Sequence, residues 1–339
     1  MISLSLCLGV GVGCVPGDAY TKEETQESQE KIKIGLSVDS FVIERWQRER
    51  DIFISKAQEL GAEVNVQNAS GEVEEQIAQI EYLIDKNMDV ITIIPIDANA
   101  LGEVIKKAKR AGVKIIAYDR LLTNADVDLY ISFDNEKVGE LMAQSLIDNV
   151  PLDGTILMIC GPLTDNNVLL INKGFKKVIE RSTLNILDTS YVEQWIPEKA
   201  FSLTNKYLQS RTKIDGIMCG NDGVAGQTIK ALAERRLAGK VSVVGQDADV
   251  DACQRIVEGT QTMTVYKPVD ELAEKAVEYA IRLAKGEKIA APYTIDDGSF
   301  EVPYEKLDPI AVTKENMKEV IIDGGFHSKE DVYLNIPVE

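Results

Sequence analysis

From Lys31 onward, short apolar runs alternate with segments whose apolar residues recur at helical spacing, and this rhythm restricts the fold more than any other feature. Residues 31–38 (KIKIGLSV) read as a strand, 43–60 as a helix ending before Gly61, and 63–68 as a second strand. Ile77, Ile80 and Ile84 then share one helical face. Residues 90–95 (VITIIP) form an unbroken apolar run, as a strand covered on both faces requires. A helix over 98–111 and a strand over 113–118 follow. Strand–helix–strand alternation of this kind specifies a parallel, doubly wound sheet.

A second series begins near Asp134. It has strands expected at 155–160, 184–191, 214–219 and 241–245, and helices at about 135–149, 167–181, 197–210 and 222–236. A chain of 339 residues is long for one compact domain, and two Rossmann-like α/β lobes account for nearly all of it. Coil between the halves falls near 133–136, 265–268 and 296–302, so more than one crossover is expected.

Charge and sulfur narrow the function. The net charge of −18, from 55 acidic and 37 basic residues, repels phosphate backbones and argues against a nucleic-acid partner. The five cysteines are odd in number and form no Cys-x-x-Cys pair; Cys160 and Cys219 close apolar runs and read as buried strand thiols. The single histidine, His327, lies in a polar tail and is expected to be solvated, so neither metal chemistry nor a histidine triad is indicated. Residues 1–15 are small, apolar and uncharged, matching the core of an export signal without its basic start. They end in Gly13-Cys14, a loose lipoprotein cleavage box, and an acidic stretch over 17–30 suits a tether; lipidation at Cys14 is therefore an expectation.

Open α/β sheets bind ligands beyond the carboxyl ends of their strands. Those ends here carry Arg45-Trp46, Asp119-Arg120, Asp134-Asn135, Asp165-Asn166-Asn167, Asn221-Asp222, Gln246-Asp247 and Lys267. Carboxylates accept, cations donate and amides do both, which is the mixture that sugar hydroxyls demand. The two tryptophans, Trp46 and Trp195, follow strands rather than lie on them, where a flat ring can meet the C–H face of a pyranose. Taken singly, Asp134, Asn166 and Asn221 read equally as helix N-caps; repetition at so many strand ends favours a cleft. No glycine-rich nucleotide loop and no nucleophile elbow occurs. The carboxylates Asp119 and Asp247 have basic neighbours that keep them ionised, against a glycosidase pair. No enzyme activity, cofactor or metal is expected.

At the same residues the chain resembles bacterial D-xylose-binding proteins of the type I periplasmic-binding-protein family. The stretches IERWQRERDIF, TIIPIDANAL, AYDR, SFDNEKVGE, KIDGIMCGNDGVAG, GQDAD, GTQTMTVYKP and DGGFH carry the likeness. It implies two lobes joined by three hinge strands: residues 31–134 plus about 268–298, and 135–267 plus about 299–339. It further implies that Trp46 and Trp195 stack on a pentose ring. Arg45, Asp119, Arg120, Asn167, Asn221, Asp247 and Lys267 would bind its hydroxyls. One position departs: where the family carries arginine, this chain has Asn172, so that contact is lost or moves to Lys173. The implied role is extracytoplasmic capture of D-xylose by hinge closure. The closed form would be read by an ABC permease or, as the alternative, by a membrane sensor kinase. A repressor of related fold would need a basic helix-turn-helix ahead of Lys31, where the residues are mostly apolar or acidic.

Overall fold

The computed structural model describes residues 31–210 and 212–336; the expected lipidation site, Cys14, lies outside them. The first lobe is built from β1 (Lys33–Val38), α1 (Arg45–Glu59), β2 (Glu63–Asn68), α2 (Val73–Asp85), β3 (Val90–Ile93), α3 (Gly102–Arg110), β4 (Lys114–Tyr118) and β5 (Leu129–Phe133). The chain then crosses to the second lobe for α4 (Asn135–Asn149), β6 (Thr155–Cys160), α5 (Asn166–Ile179), β7 (Asn185–Tyr191), α6 (Pro197–Gln209), β8 (Gly216–Cys219), α7 (Asp222–Ala233), β9 (Ser242–Gln246), α8 (Val250–Glu258) and β10 (Met263–Tyr266). It returns for α9 (Val269–Ala284), β11 (Tyr293–Asp296) and β12 (Glu301–Leu307), and crosses last to β13 (Ile310–Val312) and α10 (Lys329–Val332).

Strand order is β11-β12-β5-β4-β3-β1-β2 in the first sheet and β13-β10-β9-β8-β6-β7 in the second. Central strands such as β3 are buried at every residue, which is why they read as unbroken apolar runs, while the edge strands β2 and β7 stay partly exposed. The sheets are parallel except at one edge each, where β11 runs antiparallel to β12 and β13 antiparallel to β10. Helix α9 returns to pack on α1, β3 and β4 of the first lobe.

Two features of the C-terminal third correct the sequence reading. The last crossover falls after Leu307, not near 298, because β12 joins the first sheet beside β5. Pro303 concealed that strand, since proline breaks most ladders. Here it stands one residue before the ladder to β5 opens at Tyr304↔Tyr130, so its missing N–H costs nothing on that side. The Tyr130 and Tyr304 rings stack at 4.6 Å, and the Tyr304 hydroxyl donates to the Phe133 carbonyl at 2.8 Å, fixing the register at the hinge. His327 is not a solvated tail residue. Its Nε2 lies 2.7 Å from the Ala248 carbonyl, and burial lowers its pKa. The tail folds back across the hinge, with Phe326 beneath the Arg48 guanidinium at 4.6 Å.

Candidate functional site

The nine residues that the resemblance implies as sugar contacts line one cavity between the lobes, joined by Ile43 and by three more strand-end residues, Asn135, Asp165 and Gln246; Asp134, Asn166 and Asp222 do not line it. The two lobes mirror each other here. Asp119 follows β4 and its N–H is held by Ile131 of β5 at 2.8 Å; Asp247 follows β9 and its N–H is held by Val265 of β10 at 2.9 Å. Both take left-handed backbone, φ 62° and 102°, which turns each carboxylate off its strand toward the cleft. Such strain in buried non-glycine residues persists where surrounding structure imposes it, and it gathers at ligand sites.

Arg45 opens α1 and is 4% exposed. Its Nε donates to Glu49 Oε1 at 2.5 Å, one helical turn on; its Nη2 reaches Asp119 at 2.5 Å and its Nη1 lies 3.5 Å from Asp247 of the other lobe. The guanidinium also lies over the Trp46 ring at 4.2 Å. Burial alone would raise the Asp119 carboxyl, but the charges of Arg45 and Lys267 outweigh it and hold the group below its ordinary value. Lys267, on the second crossover, pairs with Asp247 at 2.7 Å and donates to Gln246 Oε1 at 3.1 Å.

Arg120 is gripped on two edges. Nη1 donates to Asp39 Oδ2 at 2.7 Å and to the Pro95 carbonyl at 3.1 Å, while Nε pairs with Asp165 Oδ2 at 2.7 Å across the cleft. Its Nη2, like Trp46 Nε1, is buried with no protein partner among the described residues. Two buried donors are thus left for an acceptor from outside the protein.

Amides complete the lining. Asn167 Nδ2 donates to Asp119 Oδ1 at 3.0 Å, and its Oδ1 accepts from Asn135 Nδ2 at 3.0 Å. Asn221 is both cap and wall: Oδ1 accepts the Val224 N–H at 2.9 Å, which leaves its amide nitrogen to the cavity side. Asp165 likewise caps α5 through the Asn167 N–H. Asp134 caps α4 and pairs with Lys306 at 2.7 Å but does not line the cavity; its neighbour Asn135 does. The capping and binding readings are therefore not exclusive.

Both tryptophans lie in the wall, and each follows a strand as the sequence reading expected. Trp46 sits in the first turn of α1. Trp195 ends a short 3₁₀ turn, residues 193–195, with Gln194 and Trp195 both at positive φ. Its ring lies against Gly161 and Gly220, where a β-carbon would come within 2.2 and 3.1 Å of ring atoms. Those glycines, at the ends of β6 and β8, were invisible as site residues because they contribute only the absence of a side chain.

Asn172 is buried but outside the cavity, its Oδ1 accepting the Cys160 thiol at 3.2 Å. The missing arginine contact does not move to Lys173. That side chain is 67% exposed and pairs with Glu136 at 2.5 Å on the α4–α5 face. Residues behind the wall were also missed. Glu49, 3% exposed, accepts from Arg45 and from the Tyr118 hydroxyl; burial, opposed by Arg45, brings its pKa to about 7. Asp39 holds Arg120, and burial raises its pKa as well. Glu49 falls four residues after Arg45, helical ion-pair spacing that sequence alone offers on many surfaces.

Residues 34–288 match the periplasmic binding protein domain. The chain belongs to this family. It is 45% identical to the D-xylose-binding periplasmic protein of Haemophilus influenzae, over 93% of this chain and 96% of that one. The protein of the same name from Escherichia coli is 43% identical over 89% and 93%. Among solved structures, a carbohydrate transporter solute binding protein from Chloroflexus aurantiacus, in complex with D-glucose, superposes with a TM-score of 0.83. It shares 29% identity over 89% of this chain and 98% of that one. No helix among the described residues is long and apolar enough to cross a membrane.

Proposed function

We propose that this chain captures D-xylose between its lobes outside the cytoplasm and presents the closed form to an ABC sugar permease. The observation that carries the reading is the lining itself. Three cations, Arg45, Arg120 and Lys267, face three carboxylates, Asp119, Asp165 and Asp247, with amides and two indoles between them. A balanced wall suits a neutral ligand rich in hydroxyls, whose groups donate to Asp119 and Asp247 and accept from Arg120 Nη2 and Trp46 Nε1. The wrong sugar would leave some of these buried groups unpaired, which is where selectivity arises. Relatives at 43–45% identity bear the name of D-xylose binders, which favours the pentose within this class.

Arg120–Asp165, Asn167–Asp119, Arg45–Asp247 and the Ala98 N–H to Thr164 carbonyl bond of 3.0 Å all join opposite lobes. Sugar contacts drawn from both walls stabilise this closed arrangement, and a membrane partner that recognises it senses the ligand. The same groups hold no nucleophile and no unshielded acid positioned for chemistry on the sugar, so the bound molecule leaves unchanged. The sensor-kinase partner finds no support among these relatives, which are named as binding and transport proteins. Lipidation of Cys14, the finer reading of location, is checked by intact mass of membrane-extracted protein.

Titration calorimetry on the purified protein tests the ligand. D-xylose should bind more tightly than D-glucose, D-ribose or L-arabinose. No heat with D-xylose beside clear binding of a hexose would refute the pentose assignment.

A further inference from the structure

Asp165 lines the cavity, and by position it would pass for another acceptor of sugar hydroxyls. Its hydrogen bonds say otherwise. Oδ1 accepts the Asn167 N–H at 2.9 Å and Oδ2 accepts from Trp195 Nε1 at 3.2 Å, with the Arg120 Nε ion-paired to that same oxygen at 2.7 Å. The carboxylate is 3% exposed, and each of its oxygens already has a donor of the protein against it. Two of these donors belong to the second lobe, as Asp165 does, but Arg120 belongs to the first. The Arg120 contact can exist only with the lobes together.

From this accounting we infer that Asp165 is a positioning residue, a latch that binds no sugar but couples lobe closure to the seating of both Arg120 and Trp195. On the second lobe, the Trp195 indole N–H is already tied to the carboxylate, and the ring rests on Gly161 and Gly220. Closure brings Arg120 Nε onto the same oxygen. With Asp39 and Pro95 holding the Nη1 edge, Arg120 is left with Nη2 alone uncommitted. One carboxylate thereby fixes the donor on one side of the ligand and the aromatic wall on the other. Because the Arg120–Asp165 pair is buried and forms late, its loss should act on release more than on capture.

The inference rests on sugar binding, and its test separates the two. Asp165→Asn keeps the shape and the N-cap to α5, since asparagine caps as well as aspartate; a thermal melt confirms folding, and Asp165→Glu serves as a second variant that keeps the charge. Dissociation constants are measured for wild type and variant with D-xylose and with its 2-, 3- and 4-deoxy analogues. For a latch, Asp165→Asn weakens every sugar by the same factor, about 10- to 100-fold, carried mainly by faster release in stopped-flow traces. Asp165→Glu recovers part of that loss. If the factor collapses to one for a single deoxy sugar, Asp165 is that hydroxyl's partner and the latch is wrong. An unchanged affinity for D-xylose overturns it equally. A wild-type protein that binds none of these sugars would instead refute the ligand assignment, and the same ratios would then be taken with D-glucose.

Discussion

Replacing Glu49 by glutamine should flatten part of the protein's stability–pH profile, by an amount the structure sets. Glu49 is buried behind Arg45, between the guanidinium and the Tyr118 hydroxyl. Burial, only partly offset by Arg45, raises its pKa from 4.5 to about 7. At about 1.4 kcal/mol for each tenfold change, holding that carboxylate ionised in the native state is unfavourable by about 3 kcal/mol relative to the unfolded chain. A raised carboxyl means the native state binds the proton more tightly. The penalty is therefore absent below pH 4.5, grows as pH rises, and is complete above about 7. Between pH 5 and 8 this one group should lower wild-type stability by about 2–3 kcal/mol. Asp222, also brought to about 7 mainly by burial, is present in both proteins and cancels in the comparison. Urea unfolding at pH 5, 6, 7 and 8 gives the assay. The quantity compared is the slope, because glutamine also changes the absolute stability by leaving Arg45 with one anion fewer. Parallel profiles for wild type and Glu49→Gln would show that Glu49 stays ionised across this range and would refute the argument.

Trp46→Ala removes both an aromatic wall and the ring under Arg45, and should weaken sugar binding by about 100-fold; an unchanged dissociation constant in calorimetry would sink its role. Gly161→Ala places a β-carbon within 2.2 Å of the Trp195 ring. The ring must shift or the strand end must move, so stability in a thermal melt should fall by about 1–3 kcal/mol and sugar affinity with it. Lys173→Ala should leave affinity for D-xylose unchanged, because that lysine pairs with Glu136 on an exposed helix face. A clear loss would return Lys173 to the site.

The strand-end pattern was legible in sequence because burial writes itself plainly. Strands such as β3 need apolar residues throughout, and polar groups placed just beyond their ends stand out against them. Most of the residues picked out on that basis converge on one cavity, though Asp134, Asn166 and Asp222 do not line it, and the choice of nine came from the family resemblance. What each pair does there was not legible. Of Asp134-Asn135 the amide faces the cavity while the carboxylate caps α4, and of Gln246-Asp247 both reach it.

Periodicity, which depends only on neighbouring residues, determined the two α/β lobes and the strand ends at which the polar groups gather. Whatever depends on residues far apart in the chain was decided by tertiary structure. The antiparallel edges and the crossover after Leu307 needed β12 to find β5. The seat of Trp195 needed two glycines from separate strands. Asp165 became a latch only because Arg120, from the other lobe, meets an oxygen already bound to an indole. A hydrogen bond has direction and reach as well as partners, and a one-dimensional sequence records only the partners.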